Sequence, residues 1–213
     1  MNKYLQIVHR GDIYKDFEPL PFQTENNNIS PYLDNILGGY TGNEVTIIEV
    51  GSWKGSSAIA MAKYFINKGI NPTIFCVDTF TGSVFHRKHD EFFAMLKCRN
   101  GFPTLYQQFL SNVIHSNLQD NIIPIPHVSH NAAEYIKDLG ITCDIAFIDG
   151  EHNFEGCYGD LVDYWPLVKS GGIMFCDDYS GGWGVIPAVN KFVSENNLQD
   201  KSTLYHTIFK ISK

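Results

Sequence analysis

Five acids and one histidine stand where this chain can do chemistry. Glu49 lies at the end of a buried-strand run over 45–50, Asp78 closes a second over 73–77, and Asp149 closes a third over 144–148. His152 follows Asp149 by three residues across Gly150, and Asp177 and Asp178 close a fourth run over 173–176. In open parallel sheets ligands bind beyond the carboxyl ends of the strands, so acids placed there share one edge. Asp149, Asp177 and Asp178 would repel one another without a cation, and a few carboxylate oxygens completed by water and substrate are what magnesium or manganese prefers. Plainer readings stand beside this one: Asp149 as an acid favoured by a helix N-terminus, Asp177 and Asp178 as a turn, and His152 as a hydrogen-bonded structural histidine.

From Glu49 onward the sequence reads E-x-G-x-x-x-G-x-S, with Gly51, Gly55 and Ser57 at the marked positions. Glycines here can take backbone angles closed to other residues and let a ligand approach the main chain, while Ser56 or Ser57 can cap the helix that follows. The dinucleotide fingerprint G-x-G-x-x-G, which sets a pyrophosphate against a helix N-terminus, is missing its first pair of glycines. Asp78, at the end of the next strand, is placed to accept hydrogen bonds from ribose hydroxyls. A glycine turn and a ribose acid without a phosphate cradle suit S-adenosylmethionine, with Ser52, Trp53 and Thr79 as further lining residues. An ordinary crossover with a glycine turn is the alternative.

Positioning these groups takes an alternation of strands and helices. Strands are predicted near 45–51, 73–78, 121–128, 143–149 and 171–177, and helices near 56–67, 104–117, 131–138, 155–168 and 186–195. That order signals a parallel sheet with helices on both faces. Residues 202–212 alternate into one more strand or a short hairpin. On the helix after Asp149, the pattern expects Leu161, Val162 and Trp165 to face inward and Glu155, Asp160 and Asp163 to be solvated. Residues 1–40 carry Pro19, Pro21, Pro31 and the run Asn26, Asn27, Asn28, which discourage regular structure before 31–37. This arm is expected to wrap the surface, with covering the site or contacting a second copy of the chain as alternatives. Residues 79–103 form a connection long enough to read as a lid, and place His86, Arg87, Lys88 and His89 among aromatics, a mixture able to bind a polar acceptor.

Composition narrows the function classes. The 213 residues are 44% hydrophobic, enough for a substantial core in one domain. No apolar run reaches the ~20 residues that span a bilayer, and the first residues lack the continuous apolar centre of a signal peptide, so a cytoplasmic protein with no membrane partner is expected. Five cysteines form no C-x-x-C and read as small hydrophobes. A formal charge of −7 disfavours a nucleic-acid partner and favours a small neutral or hydroxylated acceptor.

With Glu49, Gly51, Gly55 and Asp78 in register, the chain resembles the class I S-adenosylmethionine-dependent methyltransferases. From about 45 to 179 it is similar to the metal-dependent O-methyltransferases that act on catechols and on sugars of secondary metabolites, including the macrocin O-methyltransferase and cephalosporin-hydroxylase-like group, through its I-D-G-x-H run at 148–152 and D-D-Y at 177–179. The resemblance implies an α/β, Rossmann-like fold whose mostly parallel central sheet has helices on both faces and a short or reduced antiparallel edge at the C-terminal side. It further implies a single methyltransferase domain over 1–213, with an arm at 1–40 and a lid-like insertion at 79–103. Asp149, Asp177 and Asp178 occupy the positions of the family's metal ligands for magnesium or manganese, and Asp149 also borders the cofactor. His152 stands at the place of the general base, and Ser129 with His130 where the family contacts adenine. Many relatives carry His where this chain has Asp177. Related proteins also show a D-T-W-x-G-S-x-x-H run, here with Phe80 for Trp and ending at His86. The implied activity is methyl transfer to a hydroxyl of a small molecule or glycan sugar. The alternatives are a cephalosporin-hydroxylase-like role and a catalytically silent partner protein that binds the cofactor.

Overall fold

A computed structural model describes residues 2–25, 29–180 and 184–213; the expectation for Asn26 to Asn28 lies outside the described residues. Strands β1 (Glu44–Val50), β2 (Asn71–Asp78), β3 (Ile122–Pro126), β4 (Cys143–Ile148) and β5 (Val168–Cys176) run parallel. Together with β6 (Ser202–Tyr205) and β7 (Ile208–Ser212) they form one sheet in the order β3-β2-β1-β4-β5-β7-β6. The inner strands are apolar on both faces because helices cover both. Ile47, Ile48, Phe75, Phe147 and Phe175 are fully buried, each such side chain contributing roughly 1.5–3 kcal/mol. Phe147 and Phe175 stack across β4 and β5 with ring centroids 4.6 Å apart.

The crossover helices are α3 (Ser56–Asn67), α6 (Leu105–His115), α7 (Ser129–Asp138), α8 (Phe154–Tyr164) and α9 (Val185–Glu195). The reduced C-terminal edge is a hairpin: β7 lies antiparallel to β5, and β6 antiparallel to β7. Its two-residue turn uses His206 at φ +58°. Strand order reverses between β1 and β4, so the carboxyl ends of β2, β1, β4 and β5 open on one crevice. Among the described residues no helix is long and apolar enough to cross a membrane.

Four local expectations are corrected. The arm is not irregular up to 31–37, because α1 (Lys3–His9) forms near its start, well ahead of α2 (Leu33–Leu37). Asn2 caps it by accepting the Tyr4 amide, Leu5 is buried, and His9 bonds the Pro124 carbonyl of β3 at 2.8 Å. Residues 79–103 contain two short helices, α4 (Val84–Lys88) and α5 (Asp90–Met95). Neither Ser56 nor Ser57 caps α3, whose N-cap is Gly55 at φ +84° with no side-chain cap bond. On α8, Val162 is 43% exposed whereas Asp160 is only 4% exposed, because the neighbouring α7 meets the face that carries Asp160.

Candidate active site

The glycine turn is built by tight lacing of strand ends. Gly51 donates to the Val77 carbonyl at 2.8 Å, Asp149 to that of Val50 at 2.8 Å, and Asp177 to that of Ile148 at 3.1 Å. At φ +90°, a Cβ on Gly51 would lie 1.9 Å from the Asp149 carbonyl oxygen, so no other residue fits there. Gly55 lets α3 pack on α6, since a Cβ there would meet the Phe109 ring at 3.1 Å. Glu49 is fully buried beneath the turn and accepts the Ser57 hydroxyl at 2.5 Å; burial raises its pKa. Its task is to hold the turn from below rather than to line the cleft.

Above the turn opens a cleft of about 860 Å³, walled by Gly51, Ser52, Trp53, Ser56, Ser57, Asp78, Thr79, Ser129, Asp149, His152, Asp177 and Asp178 among others. Asp78 Oδ2 accepts the Trp53 amide at 2.8 Å and Oδ1 the Phe80 amide at 2.6 Å. Trp53 (φ +48°) and Phe80 (φ +53°) both take left-handed backbone to make these bonds, a strain typical of functional loops. Burial raises the Asp78 pKa while the two amides pull it down, and each carboxylate oxygen keeps a lone pair for a further donor. His130 lies elsewhere: it is exposed and pairs with Asp163 at 2.8 Å.

Asp149, His152 and Asp178 bring ligand atoms within 4.8 Å of one another. His152 Nε2 lies 3.7 Å from Asp149 Oδ1 and 3.2 Å from Asp178 Oδ2. The histidine precedes the α8 N-cap Asn153, and its carbonyl is held by the Gly184 amide at 2.9 Å. Asp178 at φ +55° turns its side chain to this cluster. Asp177 lines the same cleft but directs Oδ1 to the Asp178 amide at 2.8 Å and the Thr207 hydroxyl at 3.1 Å, so it shapes the loop that carries Asp178. Burial, with Asp177 and Asp178 nearby, pushes the Asp149 pKa up to about 7 against the opposing hydrogen bond from His152. The 28% of its side chain left open to the cleft lets water soften that shift. The Asp149 hydrogen bond raises the His152 pKa in turn.

Sequence patterns miss Glu25, Val128 and Asp160 as parts of the site, whereas they single out His86 in the lid. Glu25 of the arm accepts the Trp53 indole N–H at 2.9 Å and the Lys54 ammonium at 2.6 Å, and its carbonyl accepts the Ser56 hydroxyl at 2.7 Å. His86 from α4 stacks on Trp53 at 4.6 Å, so arm and lid grip one indole. Val128, 50% exposed, and Asp160 complete the wall on the β3 side. Glu25 has no local signal, being 28 residues from Trp53.

The cleft fits an adenosyl sulfonium cofactor. Gly51 clears main-chain approach, Asp78 offers ribose acceptors, and Lys54, the cation nearest the turn in sequence, is buried and engaged by Glu25 rather than free to meet a phosphate. The donor set of Asp149 and Asp178 fits a hard divalent cation. Chemically, acids, a neighbouring imidazole and a flat aromatic wall can deprotonate and orient a hydroxyl beside a methyl donor.

Comparison with known proteins bears on the family and the fold. The methyltransferase domain family matches residues 48–179, more than half of the chain. An uncharacterised protein of Acanthamoeba polyphaga mimivirus is 27% identical over 169 residues, covering 76% of this chain, which itself spans 66% of that relative's length. The O-methyltransferase NovP superposes with a TM-score of 0.59 at 19% identity, over 87% of this chain and 78% of its own. An O-methyltransferase from Bacillus cereus in complex with SAH gives 0.58 at 13% identity, over 100% and 92%. At these identities the two structures establish likeness of fold.

Proposed function

The chain belongs to the methyltransferase domain family and is an S-adenosylmethionine-dependent methyltransferase, and from that premise we propose that it methylates oxygen, at a hydroxyl of a small molecule or glycan sugar. The observation that carries this reading is the placement of Asp149, His152 and Asp178 at the wall of the glycine-lined cleft. The acceptor stands between lid and turn, beside Trp53 and His86. His152 takes the hydroxyl proton at Nε2, and the facing carboxylates of Asp149 and Asp178 stabilise the imidazolium that forms. Asp78 and the Gly51 turn hold the cofactor so that oxygen and methyl carbon are aligned, and this alignment is the main source of rate enhancement open to such an enzyme. Magnesium or manganese would be held by Asp149 and Asp178, with Asp177 supporting the loop that carries Asp178, and would lower the hydroxyl pKa when bound.

A cytoplasmic setting belongs to the same proposal and is supported by five cysteines all held as thiols. Calorimetry with S-adenosylmethionine and SAH, followed by activity measured on a panel of hydroxylated acceptors before and after chelation, tests the reading. Binding of both ligands and chelator-sensitive O-methylation are expected. Activity unchanged both by chelation and in Asp149→Asn would remove the cation, and methylation at nitrogen or carbon would overturn the oxygen assignment.

A further inference from the structure

The lid sends an ionisable side chain, His86, into the cleft, and proton removal by His152 gives it no task. Its ring is firmly placed. It stacks on the Trp53 indole with centroids 4.6 Å apart and planes at 27°, and the rings of Phe85 and Phe92 stand perpendicular to it at 6.4 Å and 6.1 Å. Gly82, at φ +75°, brings the entry of α4 against the end of α5, since a Cβ there would lie 2.6 Å from the buried Leu96.

The position of the ring proton follows from the hydrogen bonds. The Ser83 amide donates to His86 Nδ1 at 3.3 Å, and the Ser83 hydroxyl bonds the same atom at 2.8 Å. A backbone amide can only donate, so Nδ1 is an acceptor and the proton of the neutral ring sits on Nε2. Burial, followed by the charge of His152, lowers the His86 pKa against the opposing pull of Glu151 and Glu25, which keeps the ring neutral at neutral pH. Nε2 has no hydrogen-bond partner among the described residues. Other donors near it are engaged: the Trp53 indole N–H goes to Glu25, and the Thr81 hydroxyl pairs with Thr79. An oxygen brought to this part of the lid therefore meets one ready donor among aromatic faces. The reacting hydroxyl belongs to His152, so that oxygen is a different one. Resting on the assignment of this cleft to O-methyl transfer, we propose that His86 is a specificity-determining residue. Its Nε2–H binds a second oxygen of the acceptor, one that is not methylated, and selects molecules with a hydroxyl or carbonyl on the lid side over those that are apolar there.

The test uses SAH-loaded protein carrying ¹⁵N-histidine, with calorimetry and NMR on two pairs of probes that differ by one oxygen. These are dihydroxybenzyl alcohol against methylcatechol, and methyl glucoside against methyl quinovoside. The His86 signals of wild type should show a protonated Nε2 and a bare Nδ1. Wild type is expected to bind the oxygen-richer member of at least one pair about threefold to tenfold more tightly, the worth of one hydrogen bond between neutral groups, with the Nε2 signal shifting for that member alone. His86→Phe, which keeps a flat ring on Trp53, should erase the preference and retain SAH affinity, and His86→Gln, which restores a donor, should recover part of it. A proton on Nδ1, no preference within either pair, a preference that survives in His86→Phe, or loss of SAH affinity in that variant overturns this inference and leaves the methyltransferase reading standing. Failure of wild type to bind SAH overturns that reading and this inference with it.

Discussion

His152 is bracketed by two carboxylates and held by its own backbone, with its carbonyl on the Gly184 amide at 2.9 Å. Replacing it removes a proton acceptor without disturbing the Gly51 turn. In His152→Ala, kcat is expected to fall by about 10²–10⁴-fold, the usual share of a positioned acid-base group, with SAH affinity retained. Equal loss of SAH binding would make the residue structural. Asp149 yields a second prediction, in cation-free protein. Its folded pKa of about 7 lies above the ordinary carboxylate value, so the folded state binds more protons than the unfolded between those two values. Its contribution to stability is therefore full below about pH 4 and is lost as pH rises through about 7. Asp149→Asn, which mimics the protonated group, should gain on wild type in thermal midpoint between pH 5 and pH 8 by roughly 2–8 °C, corresponding to about 1–2 kcal/mol after allowing for solvent access. A gap that stays constant with pH would contradict the assignment.

At the scale of elements, the acids were legible because each parallel strand is an apolar β-branched run whose end the next polar residue marks. Asp78, Asp149, Asp177 and Asp178 could thus be placed on one edge from the sequence. Where each side chain points was not legible: Asp177 turns to Thr207 and the Asp178 amide, a choice made by a hairpin 30 residues away in sequence. Asp160 looked solvated because helical spacing says which face it shares but not that α7 begins over that face. The arm escaped because its bonds are long-range: the Gln23 backbone exchanges bonds with the Asn112 side chain at 2.8–2.9 Å, and Glu25 holds the turn. Lys54 is 3% exposed against Glu25, so Glu25→Ala strands a buried ammonium. A loss of about 1–3 kcal/mol is expected, read as a lower thermal midpoint together with weaker SAH binding. Glu25→Gln, which keeps an acceptor for the Trp53 indole, should hold SAH better than Glu25→Ala, and an unchanged SAH affinity in both would detach the arm from the cofactor turn.

For the whole molecule, the decisive feature is that the sheet is threaded out of sequence, with β7 inserted between β5 and β6. The fold class and the parallel core were readable because every crossover supplied its own helix, whereas the edge was not, since a dozen residues of alternating polarity serve equally as one strand or two. The Thr207 hydroxyl on Asp177 at 3.1 Å, and the Tyr179 amide on the Thr207 carbonyl at 2.8 Å, join this last hairpin to the loop carrying Asp178. Translation delivers that loop some thirty residues before its brace. In a nascent chain β1, β2 and β4 are therefore complete while the acid pair still lacks its brace, so the last residues to be made are the ones that hold Asp177 and the loop of Asp178 in place.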